Sequence, residues 1–132
     1  MRVYRIATAK NNAIGPYGNQ LTRHLDKYND SNGTEYWYYD FEFQRNSTPE
    51  HRPCPWSDCM GEIDEDEYFG FASLDQLRSW FDSPEDRHLL ATVGYVCWEF
   101  EVDEGEVHNG LHQICFPLAE AKVVAQLDLK EV

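Results

Sequence analysis

Arg5 stands in the middle of "RVYRIA", Arg2 to Ala7, where two-residue alternation puts it on the same strand face as Val3 and Ala7. A guanidinium among apolar residues needs an anionic or hydrogen-bonding partner, unless the strand lies at an edge and the side chain reaches water. The chemistry open to it is the clamping of a phosphate or carboxylate. Gln113 opens the apolar run "QICF" and offers a polar amide at a strand end. Ser73 joins two periods: Tyr68 to Ala72 is a short aromatic run that suits a strand, while Leu74, Leu77, Trp80 and Phe81 recur at helical spacing. Its hydroxyl can accept from the helix start, and Gln76 completes a capping-box pattern. If Arg5, Ser73 and Gln113 meet at one cleft, they bring a cation, a hydroxyl and an amide together, which suits a nucleotide.

A fourth group lies in "HRPCPWSDC", which packs His51, Cys54, Asp58 and Cys59 into nine residues. These are zinc-ligand types, but the spacing matches no finger or ribbon and no second cysteine pair follows, so no metal is assigned. A loop stiffened by Pro53 and Pro55 that presents His51 or Asp58 to a cleft is the better functional reading. The sequence has no GxxxxGK[ST] loop, GxGxxG fingerprint, GxSxG elbow or HExxH helix. Cys97 and Cys115 fall in apolar strand-like runs, where buried reduced thiols are common.

The elements that must position these residues follow from the rest of the chain. Gly15-Pro16-Tyr17-Gly18 reads as a turn, and Gln20 to Tyr28 as a short helix ended by Asn29 to Gly33. "EYWYYDFEFQ" alternates like a strand, then runs into three prolines in seven residues, Pro49 to Pro55, which no regular element accepts. The acidic run Glu62 to Glu67, interrupted only by Ile63, lacks the order of a calcium loop and reads as a solvated edge. After the Ser73 helix, Ser83, Pro84, Glu85 and Asp86 form a helix start, and the helix should stop at Gly94. Strands are expected over Tyr95 to Val102, Glu106 to His108, His112 to Phe116 and Ala121 to Leu129. The class is therefore α+β, one domain over residues 1–132, with a mostly antiparallel sheet, two short helices between strands and a long irregular loop.

Lys and Arg number 11 against 24 Asp and Glu, a formal charge of −13. Such a surface repels phosphate backbones, so direct nucleic-acid binding is not expected, whereas a basic protein partner is. No apolar run is long enough to span a membrane and the N-terminus lacks a secretory signal, which points to the cytoplasm.

The order of the motifs "VYRI", "GPYG", "HRPCPWSD", "YFGFASLDQLRSWF", "YVCWEFEV" and "HQICFPLAEAKVV" resembles a group of small phage and bacterial proteins. The host cytoplasm would then be the site of action. The chain also resembles the ADP-ribosyltransferase fold, in which a first-strand arginine or histidine, a serine or tyrosine between strand and helix, and a late-strand glutamate or glutamine bind NAD. That resemblance implies that Arg5 holds the phosphates or ribose of NAD, that Ser73 seats the nicotinamide ribose, and that Gln113 stands at the position of the catalytic acid. Glutamine cannot stabilise an oxocarbenium-like transition state by charge, which leaves the transfer of ADP-ribose to a macromolecule open. Two readings follow. One is an NAD-binding or related nucleotide-binding protein of transferase type; the other is a non-enzymatic acidic protein, such as a phage inhibitor of a host defence system, that occupies a basic or nucleic-acid-binding site.

Overall fold

The computed structural model describes residues 1–45, 52 and 64–132. His51, Cys54, Asp58 and Cys59 lie outside the described residues. Two antiparallel three-stranded sheets carry the fold. The first is ordered β1 (Arg2–Thr8), β3 (Tyr95–Glu101), β6 (Lys122–Leu127), and the second β2 (Glu67–Gly70), β5 (Ile114–Pro117), β4 (His108–Asn109). Register pairs Arg5 with Trp98 across β1 and β3, and Phe69 with Cys115 across β2 and β5. The sheets are joined at one point, where Tyr4 and Phe71 exchange both backbone hydrogen bonds, at 2.8 and 2.7 Å.

Two apolar clusters result. The larger packs Ile6 and Tyr95 of the first sheet against Leu21 and Leu25 of α1 (Gly18–Asn32), Leu77 of α3 (Leu74–Trp80) and Leu90 of α4 (Pro84–Thr92). The smaller, built from Val3, Phe100, Val102, Ile114 and Phe116, joins residues of both sheets. Successive residues of β1 thus serve different masses: Val3 enters one cluster, Ile6 the other, and Arg5 stays buried between them.

The helix starts follow from their capping residues. Ser73 Oγ accepts from Gln76 N at 3.0 Å, and the Gln76 side chain returns to Ala72 N at 2.7 Å, one residue earlier than in the usual capping box. Ser83 Oγ accepts from Asp86 N, with Pro84 at the first helical position. Helix α1 runs further than its apolar spacing predicts, to Asn32, because Gly33 takes a left-handed conformation (φ 65°) and donates its N–H to Asn29 O.

Three expectations are corrected. "EYWYYDFEFQ" is not a strand: Tyr38–Asp40 form a 3-10 turn and Glu42–Arg45 a short helix, α2. Side chains decide this, since Asp40 accepts from Trp37 N and Asp86 accepts from both Glu42 N and Phe43 N, offering the backbone partners that a strand ladder would otherwise supply. Residues Glu104–Glu106 likewise close a 3-10 turn on the Asp103 carboxylate, leaving His108–Asn109 as the strand. Finally, the acidic run is not wholly solvated. Asp64, Glu65 and Asp66 are exposed, but the Glu67 side chain turns inward to within 3.2 Å of His108 Nε2.

Tyr95 is buried in the larger cluster, its ring 4.9 Å from that of His24, and its hydroxyl has no hydrogen-bond partner among the described residues. An orphaned buried hydroxyl costs about 1–3 kcal/mol. Tyr95→Phe should therefore raise stability by about 1 kcal/mol, read as a higher midpoint in urea, and a lowered midpoint would show that the hydroxyl has a partner in solution.

Candidate functional site

The strand face that carries Arg5 opens on a cleft of about 260 Å³. Its polar lining side chains are Arg5, Tyr17, Gln20, Trp80 and Gln113, and the rest of the wall is apolar, including Phe69, Phe71 and Phe81. Arg5 and Gln113, far apart in sequence, are thus brought to one cavity. Ser73 is not in its lining; its hydroxyl is committed to the start of α3.

Arg5 is 8 % exposed, so β1 does not deliver it to water. Its Nε donates to Asn12 O at 2.8 Å, Nη1 to Phe69 O at 2.7 Å and Nη2 to Ala13 O at 3.0 Å. A guanidinium has five N–H groups, so two remain after these three bonds. Among the described residues no carboxylate pairs with it; its other neighbour is the Tyr68 ring, whose centroid is 5.2 Å from the guanidinium carbon. Burial lowers the Arg5 pKa to about 10, still far above neutral pH, so the group stays cationic. A buried cation that lacks a counter-charge costs several kcal/mol, which three neutral carbonyls only partly offset. An anion in the cleft would offset more of it.

The aromatic wall is held from behind. Trp80 Nε1 donates to the Tyr17 hydroxyl, while Arg52, its side chain 4 % exposed, donates from Nε to Trp80 O at 2.6 Å and from Nη2 to Asp82 at 3.1 Å. Tyr17 also packs edge-on against Phe43 at 5.5 Å. Desolvation of its hydroxyl pushes the Tyr17 pKa above the usual tyrosine range, although the residue as a whole is 43 % exposed: the ring lies at the surface and its tip is enclosed. The phenol is therefore no general base at neutral pH.

Gln113 sits where the β4–β5 hairpin closes, its carbonyl accepting from Gly110 N at 2.9 Å, and the residue is buried. The described cleft lining contains no Asp, Glu, His, Lys, Ser or Cys. It holds binding groups but no side chain able to act as nucleophile or charged base. Cys115, close to Arg5, does not change this, because burial pushes its thiol pKa up to about 12. Among the described residues no three metal-ligand side chains cluster.

Tyr17, Trp80 and Arg52 were not singled out by sequence reasoning. Tyr17 reads as part of a turn and Trp80 as a core residue at helical spacing. The available signal was weak: both are large rings with a polar tip, a type that favours half-buried sites.

The chain matches the family described as Bacteriophage T4 Y00F protein over residues 1–130, and it belongs to that family. No curated protein and no solved structure is similar to it. Among the described residues, no helix is long and apolar enough to cross a membrane.

Proposed function

We propose that the Arg5 cleft binds NAD or a related nucleotide, with an anionic group at the two remaining guanidinium N–H donors and a ring against Trp80 and Tyr17. The observation that carries this reading is a buried arginine, without a counter-charge among the described residues, in the lining of an aromatic cleft. Gln113 supports it as a buried polar residue in the lining of the same cleft. The volume, about 260 Å³, is just below the ~300–1,000 Å³ of typical small-molecule sites, so it suits one ring with its phosphate rather than a whole dinucleotide. Transfer of ADP-ribose draws less support, because no carboxylate lines the described cleft.

Isothermal titration with NAD tests the reading on the wild type, Arg5→Lys and Gln113→Ala, each checked by circular dichroism. Arg5→Lys keeps the charge but loses the fork, and Gln113→Ala spares the three carbonyls that Arg5 holds. Saturable binding that weakens at least tenfold in both folded variants is expected, about 1.4 kcal/mol or more. No heat at millimolar NAD, or equal binding by all three proteins, overturns it.

A second reading rests on charge. At −13, with Asp64, Glu65 and Asp66 all exposed, the surface suits a basic partner, as an inhibitor of a host defence system would need. Such binding would weaken steeply with salt, whereas binding in an enclosed cleft would change little.

A further inference from the structure

A second cleft, about 450 Å³, opens on the other side of the loop that follows β1. That loop separates the two cavities: Gly15, Pro16 and Tyr17 line the first, and Lys10, Asn11 and Ile14 the second. The opposite wall comes from α1, where Lys27, Tyr28 and Ser31 stand three, four and seven residues after His24. These positions form one stripe beside the core face of Leu21 and Leu25: Tyr28 packs against the larger cluster, and Lys27 is exposed.

The charge of this cleft runs against that of the molecule. The chain has four lysines, and two of them, Lys10 and Lys27, line it, while among the described residues no Asp or Glu does. In a protein with more than twice as many acidic as basic residues, a cleft whose charged side chains are cations is not what a solvated acidic surface produces. His24 lines the same wall, held there by the hydrogen bond that its Nε2 donates to Val93 O, since a carbonyl can only accept. Two polar side chains, Ser31 and Asn32, lie at the same wall. The negative end of α1 is also here and opposes an anion, but the last-turn carbonyls of Tyr28 and Asn29 already accept from Asn32 Nδ2 and Gly33 N–H.

We infer that this second cleft is a phosphate site, seating a phosphoryl group between Lys10 and Lys27 with His24 beside them. The site is independent of the nucleotide cleft and does not rest on it. Lysine suits the task as a mobile point charge that reaches a phosphate from either wall.

The test is titration with sodium pyrophosphate, followed by amide chemical shifts, on the wild type, Lys10→Gln/Lys27→Gln and Arg5→Lys. Both lysines are exposed, so the double variant keeps the fold. Shifts are expected at Ala9 to Asn11 and at Ser31 and Asn32, with the affinity read at these amides falling about tenfold in the double variant. Repeating the comparison with ADP tells whether the phosphoryl group arrives free or on a nucleoside, and a lysine-dependent component with either ligand supports the site. Absence of pyrophosphate and ADP binding, equal binding by the double variant, or shifts confined to Gly15 to Tyr17 and lost in Arg5→Lys would overturn it.

Discussion

Gly70→Ala is expected to destabilise the protein by about 3 kcal/mol or more, lowering its melting temperature by roughly 10 °C. A Cβ built at Gly70 lies 2.6 Å from Tyr4 O and 3.0 Å from the Phe116 ring. Neither neighbour can yield cheaply. Tyr4 O accepts from Phe71 N at 2.7 Å in the two-bond bridge that joins the sheets, and Phe116 is fully buried in the smaller core. Moving Tyr4 would also disturb the adjacent Arg5, and Gly70 itself lines the nucleotide cleft, so the same change should weaken ligand binding in whatever fraction stays folded. Gly105→Ala is the control, because its Cβ would meet only Asp103 Oδ1 at an ordinary 3.5 Å. Thermal denaturation of the pair decides the matter. Equal melting temperatures would mean that the sheets are not so closely joined at this point.

The second large effect belongs to Asp86, a carboxylate 3 % exposed that accepts from Glu42 N at 2.8 Å and Phe43 N at 2.9 Å. Its removal leaves two N–H groups of the first turn of α2 without an acceptor, and such bonds to a charged group contribute about 1.5–3 kcal/mol each. Since the losses overlap, Asp86→Ala should cost about 3 kcal/mol in urea unfolding. Asp86→Asn should recover little, because its amide nitrogen would face one of the two donors. The effect reaches the cleft through packing: Phe43 lies 4.9 Å from Phe81 and 5.5 Å from Tyr17, ring to ring, and both of those line it. Faster hydrogen exchange at Glu42 and Phe43 in the alanine variant would locate the change. A loss below about 1 kcal/mol would show that water replaces the carboxylate.

Asp86 also illustrates what a linear reading misses. Its place at the head of α4 was legible, because Ser83, Pro84, Glu85 and Asp86 form a helix start by local rules. Its second task, capping a segment more than forty residues earlier, depends on how α2 and α4 meet, and no spacing encodes that. The same gap explains why "EYWYYDFEFQ" reads as a strand. Alternation of Phe41 and Phe43 with Asp40, Glu42 and Gln44 satisfies the two-residue period, but the caps supplied by Asp40 and Asp86 prevail over it.

The candidate site divides in a similar way. Arg5 stands out because a guanidinium amid Val3, Ile6 and Ala7 breaks the pattern of a buried strand, but only the packed structure shows it enclosed rather than in water. The carbonyls that hold it come from Asn12, Ala13 and Phe69, and any residue type could provide them, so they leave no trace in the sequence. Ser73 was conspicuous for a reason that is local: it caps α3.

By itself, then, the sequence determined the α+β class, the two Ser-capped helices, the main strands and Arg5 as the polar exception on an apolar strand, because these depend on periodicity, capping and side-chain polarity over a few residues. Only the tertiary structure decided that Arg5, Gln113, Tyr17 and Trp80 share a cleft, that Ser73 stands outside its lining, and that Lys10 and Lys27 face a second cavity. The physical reason is that such groupings arise where two sheets and four helices meet, from contacts between residues distant in the chain, and local preferences carry no information about which distant surfaces will close on one another.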